Sequence, residues 1–229
     1  MEAVIYFGEG VDGPLFRKLV AQMPQRPKRV DRHFFLSPDW ENSTDLIIIP
    51  GGRDVPYHES LRGEPNKRIR AFVENGGSYL GICAGGYYAS KQVIFEEGGE
   101  LEVIADRELA FFSGRAIGPA YGKNLFRYDS QEGARIAKVK WEGEEIPVYF
   151  NGGCYFEGVA SEVIATYADI EGNPAAIISC KVGKGLAVLS GVHPECTVEG
   201  DDSRKLLFDR ILECLAIKKQ RDGREGSCV

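Results

Sequence analysis

The chain has no long hydrophobic run. Nowhere do its 229 residues approach the ~18 uninterrupted apolar positions of a bilayer crossing, so no membrane partner is expected. Positive charge is also scarce: 28 Lys and Arg against 34 Asp and Glu leave a net charge of −6. A phosphate backbone demands a basic face, which excludes a nucleic-acid partner. None of the six cysteines forms a Cys-x-x-Cys pair, which removes zinc-ribbon and thioredoxin-type sites; no metal and no cofactor is expected. The opening MEAVIYFGEG lacks a basic stretch and a cleavage site, so a cytoplasmic protein with reduced thiols is expected. Repeats, linkers and low-complexity segments are missing too. One domain over 1–217 is expected, followed by a polar, disordered tail over 218–229.

What is present is an alternation of apolar runs and amphipathic segments. Ala3–Phe7, Val30–Leu36, Asp45–Pro50 and Ser78–Ile82 read as strands, and Pro14–Met23 and Asn66–Glu74 as helices between them. Asp45–Pro50, DLIIIP, is a continuous apolar run of the kind buried on both faces of a sheet. Strands separated by helices of this length imply βαβ units and a parallel sheet. Past residue 95 the pattern changes to shorter strands, Leu101–Ile104, Ile136–Trp141 and Pro147–Phe150. Val163–Ala168, Ala175–Lys181 and Leu186–Ser190, with turn residues between them, predict an antiparallel extension, and Asp202–Ile217 a last helix. The class is α/β: a mostly parallel sheet flanked by helices.

The segment Leu80–Tyr88, LGICAGGYY, places Cys83 between glycines just after a strand. Gly81-Ile82-Cys83-Ala84-Gly85 is a cysteine version of the G-x-S-x-G nucleophile elbow. Small neighbours suit a strained turn, and a following helix aims its first N–H groups at the sulfur. The bland alternative is a small buried thiol, the reading given to the other five cysteines. A cysteine nucleophile needs a base, and the chain has three histidines. His33 sits among aromatic residues in a strand-like run and reads as structural; His58 is the weaker loop candidate. His193, in LSGVHPE, follows a strand, and Glu195 stands two positions on, where it could orient the ring. Pro50-Gly51-Gly52-Arg53 also follows a strand, at the carboxyl edge where α/β sheets bind ligands. Its freed N–H groups, with that of Ala84, could form an oxyanion hole; a plain strand-ending turn is the alternative.

In that order, PGG, GICAGG and GVHPE resemble the class I glutamine amidotransferase-like superfamily. More narrowly, PGGRDVPY, YLGICAGGYYAS, FFSGRAIGPAY and YFNGGCYF resemble the amidotransferase-like domain at the N-terminus of biotin–protein ligases, also known as a stand-alone bacterial protein. The resemblance spans about residues 2 to 217. It implies a flavodoxin-like fold with Cys83 as nucleophile, His193 as base, Glu195 as its orienter, and Gly52 and Ala84 as oxyanion donors. A ligase proper also carries a Gly-Arg-Gly-Arg-type loop; no such motif occurs here, so the chain is not expected to biotinylate by itself.

Around these residues, Arg53, Asp54 and Tyr57 are candidate substrate contacts, Arg53 as a bidentate partner for a carboxylate or as a local ion pair with Asp54. Arg115, in FFSGRAIGPAYG, is a second candidate anion contact or a solvated charge, and Asn151, in YFNGGCYF, could face the site. The expected function is a cysteine-dependent amidotransferase-like hydrolase acting on an amide of a small molecule. A separate ligase or synthetase protein is the expected macromolecular partner. The alternative is a non-catalytic small-molecule-binding or regulatory module linked to biotin metabolism.

Overall fold

The computed structural model describes residues 1–222. Its β-branched runs build the centre. Strands β1 (Ala3–Tyr6), β2 (Lys28–Val30), β3 (Leu46–Ile49) and β4 (Ser78–Ile82) lie parallel in the order β2-β1-β3-β4. Strand β13 (Gly185–Ser190) pairs parallel with the far edge of β4, setting Ser190 beside Ile82. Every residue of β3 is buried because side chains alternate between two covered faces. Ile47 and Ile49 pack with Tyr57, Ile69, Phe72 and Tyr88, from α3 (Asp54–Leu61), α4 (Glu64–Glu74) and α5 (Ala84–Ala89). Leu46 and Ile48 pack with Leu19 of α1 (Gly13–Gln22) and with Leu207, Phe208 and Ile211 of α6 (Ser203–Asp222).

Beyond β13 the sheet is mostly antiparallel, with one further parallel pair between its fifth and seventh strands in chain order. β12 (Ala175–Val182) pairs with β13, and the order continues through β10 (Tyr155–Glu157), β7 (Phe112–Gly118), β5 (Ser90–Phe95) and β6 (Val103–Asp106). A branch off β12 carries β11 (Glu162–Tyr167), β8 (Arg135–Trp141) and β9 (Glu144–Phe150). The result is an α/β fold with a helix-covered parallel core and a mostly antiparallel extension in which β5 and β7 run parallel.

Two expectations need correction. Val30–Leu36 is not one strand: β2 stops at Val30, and α2 (Arg32–Leu36) follows. Asp31 makes the break, its carboxylate accepting the N–H groups of His33 at 2.9 Å and Phe34 at 3.3 Å as a helix N-cap. At the other end, α6 continues through Asp222, past Ile217. Of the segment expected to be a tail, residues 223–229 lie outside the described residues.

Candidate active site

Between the end of β4 and the start of α5 a single residue, Cys83, makes the turn, with φ 51° and ψ −105°. A non-glycine residue there costs on the order of 1–3 kcal/mol and persists only where its surroundings fix it. They do so closely: a Cβ on Gly85 would stand 2.0 Å from the Ile49 carbonyl oxygen, so α5 seats against β3 only as glycine. The Cys83 N–H donates to the Ser190 carbonyl at 2.7 Å, tying the turn to β13. The side chain therefore reaches the wall of a cavity of about 520 Å³, leaving Cys83 6% exposed.

His193 follows β13. Its N–H donates to the Tyr149 carbonyl at 2.9 Å, which anchors it to β9, and its ring is fully buried. Nδ1 lies 2.8 Å from Glu195 Oε1; a carboxylate can only accept, so Nδ1 carries the proton. In a neutral ring, Nε2 is then the acceptor, and it has no hydrogen-bond partner among the described residues. Burial, the largest influence, pushes the His193 pKa down, but Glu195 and Cys83 beside the ring outweigh it and hold it well above the ordinary histidine value. The Cys83 thiol donates to the Asn151 carbonyl at 3.7 Å. Glu195 Oε2 is buried with no hydrogen-bond partner among the described residues. Among the described residues, His193, Glu195 and buried Cys196 bring donor atoms within 4.8 Å of one another, the spacing a metal ion would need. The short His193–Glu195 bond lies inside that cluster.

Gly52 and Ala84 both line the cavity with Cys83. Gly52, at φ 148°, could carry no side chain: a Cβ would fall 2.0 Å from the Gly10 carbonyl oxygen. Neither the Gly52 nor the Ala84 N–H donates to an acceptor among the described residues.

The structure distributes the other expected contacts unevenly. Arg53, Asp54 and Asn151 line the cavity. Asp54 is neutralised from behind by Arg107, whose Nε and Nη2 reach its Oδ2 at 2.9 and 2.6 Å. Burial pushes the Asp54 carboxyl up and Arg107 draws it back only in part. Tyr57 is buried behind the Gly51–Gly52 loop and does not face the cavity. Arg115 pairs with Glu157 across the β7–β10 ladder, away from the lining, because alternation along β7 turns it outward. His33 is exposed on α2, and His58 lies on α3, outside the lining.

Several lining residues escaped the sequence reading. The β7–β8 loop contributes Phe126, Arg127, Tyr128, Asp129, Ser130 and Gln131 as a continuous wall. It is held by Asn151 Nδ2 to the Ser130 carbonyl at 3.2 Å, by Tyr149 to Gln131 at 2.9 Å, and by the Asn124 N–H to Glu96 at 2.7 Å. Lys18 of α1 also lines the cavity, its ammonium 5.5 Å from the centre of the Tyr149 ring. A long irregular segment rich in aromatics was the available signal for the loop; Lys18 carried none.

Residues 4–222 match the family model described as "Biotin-protein ligase, N terminal". An uncharacterised protein of Chlamydia muridarum is 45% identical over 175 residues, covering 73% of this chain and 67% of its own. The biotin–protein ligase of Schizosaccharomyces pombe is 37% identical over 97% of this chain, which spans 39% of that enzyme's length. Among solved structures, PurLQS from Thermotoga maritima superposes with a TM-score of 0.63 at 19% identity, covering 93% of this chain and 98% of the matched one. A GMP synthase subunit from Thermoplasma acidophilum gives 0.59 at 14%, covering 97% and 98%. The fold is class I glutamine amidotransferase-like, and the chain belongs to the biotin–protein ligase N-terminal family.

Proposed function

We propose that this member of the biotin–protein ligase N-terminal family is a cysteine hydrolase acting on an amide of a small molecule. The observation that carries the reading is Cys83 held at positive φ on a cavity wall, with the His193–Glu195 pair on the adjoining strand end. His193 Nε2 takes the thiol proton, and the thiolate attacks the amide carbonyl carbon. The N–H groups of Gly52 and Ala84 receive the developing oxyanion. The protonated ring gives its proton to the leaving amine as the C–N bond breaks, leaving a thioester on Cys83. Water, deprotonated by the same nitrogen, attacks the thioester and releases the acid and the free thiol. Glu195 holds the ring throughout and compensates its positive charge.

The cavity suits an amide that also carries an anionic group. Lys18, Arg53 and Arg127 line it, and Arg53 meets Asp129 only in a long, exposed ion pair at 4.0 Å that an anionic ligand could displace. The lining acids are otherwise engaged, Asp54 by Arg107 and Asp12 by the first turn of α1. By analogy with the S. pombe relative, a separate ligase or synthetase protein is the macromolecular partner to test. Screening anionic, neutral and cationic amides against the wild type and Cys83→Ser tests the reading; it predicts Cys83-dependent turnover confined to anionic members. One observation favours a module that binds without reacting: the thiol donates to the Asn151 carbonyl. Ligand binding unchanged by Cys83→Ala, with no product from the bound ligand, would decide for the module.

A further inference from the structure

We propose that Tyr57 is a positioning residue for the oxyanion site, and that its hydroxyl locks the Gly51–Gly52 peptide with the Gly52 N–H facing Cys83. The inference rests on the reading of Cys83 as a nucleophile. The Tyr57 hydroxyl lies 3.0 Å from the Gly51 carbonyl oxygen and 3.2 Å from that of Pro50. The Gly51 oxygen accepts a second bond, from the Asp12 N–H at 3.2 Å. In a planar trans peptide the C=O and the following N–H point in opposite directions. Holding the Gly51 oxygen toward Tyr57 and Asp12 therefore turns the Gly52 N–H the other way, where Gly52 meets the cavity beside Cys83 and Ala84.

A lock is needed because this peptide joins two glycines, the residues with the least intrinsic preference against rotation. Tyr57 is built for the task. Its ring is fully buried, edge-on to Tyr6 at 5.6 Å and Tyr88 at 6.1 Å between centroids. Burial raises its pKa well above the ordinary tyrosine value, so the group stays a neutral donor. Donation to the carbonyl also polarises the peptide and strengthens its N–H as a donor at the other end. The hydroxyl has no route to a ligand in the cavity, so its influence on reaction passes through the backbone.

Two reagents separate this role from simple support of the fold. p-Nitrophenyl acetate acylates a thiolate through a tetrahedral oxyanion, whereas iodoacetamide alkylates it at a saturated carbon with no oxyanion formed. In Tyr57→Phe, which keeps the ring, the Cys83-dependent nitrophenolate burst should slow about tenfold or more, against the 10²–10³ loss typical of deleting an oxyanion donor outright. Alkylation of Cys83, mapped by mass spectrometry, should stay within about twofold of wild type. An unchanged burst overturns the proposal, and so does a parallel fall in both rates, which marks a general disturbance of the sulfur. A wild type whose burst is unaffected by Cys83→Ser overturns the nucleophile reading itself, and the lock with it.

Discussion

Cys83 concentrates the tension between stability and chemistry. Its backbone sits at φ 51°, a region glycine enters freely. Cys83→Gly should raise the free energy of unfolding by about 1–2 kcal/mol in urea titrations while abolishing any Cys83-dependent reaction. The thiols also differ in reach. Burial pushes Cys180 and Cys196 up to about 11 and Cys154 well above the ordinary thiol value. Iodoacetamide at pH 6 should therefore label Cys83 ahead of all three; slower labelling at Cys83 would remove the nucleophile reading. His193 gives a pH signature. Its folded pKa lies above its unfolded value, so its stabilising contribution is complete below about pH 6.5 and is lost as pH rises through the folded pKa. The stability advantage of wild type over His193→Asn should accordingly shrink as the pH is raised above about 6.5.

The elements around the site show what can be read from sequence. The strand, turn and helix of LGICAGGYY were legible because an apolar run, a cysteine and small residues each state a local requirement. The Gly85 contact with Ile49 was not, since it joins segments distant in sequence. Gly85→Ala should cost about 3 kcal/mol or more in chemical denaturation, because a Cβ would collide with backbone that cannot step aside. Helix α2 was misread because Phe34 and Phe35 suit a strand as well as a helix, and the Asp31 cap outweighs that preference. Arg115 was misplaced for a similar reason: its partner Glu157 lies on another strand, and strand pairing is invisible in one sequence. Arg53 behaves differently. Nearly half exposed, it should contribute about 1 kcal/mol to capture of an anionic amide, so Arg53→Ala should raise KM several-fold with kcat nearly unchanged.

At the scale of the whole molecule, the alternation of strands and helices in the first ninety residues carried the parallel core. The order of the strands did not follow from it. β13, from the last fifth of the chain, inserts between β4 and β12, so the middle of the sheet is closed by a late segment. A chain ending at residue 170 lacks β12, β13 and α6 and should be insoluble or molten, with lost near-ultraviolet dichroism, rather than a smaller folded unit.

The same insertion bears on biosynthesis. Cys83 leaves the ribosome more than one hundred residues before His193, a delay of roughly 5–20 s at ordinary elongation rates. Throughout that interval the β4 edge has no β13 to cover it, leaving an apolar strand open to wrong partners and to capture by chaperones. The nascent sulfur also lacks the imidazole that would accept its proton. Chemistry and a closed sheet thus arrive together, so an incomplete translation product would be aggregation-prone yet catalytically silent.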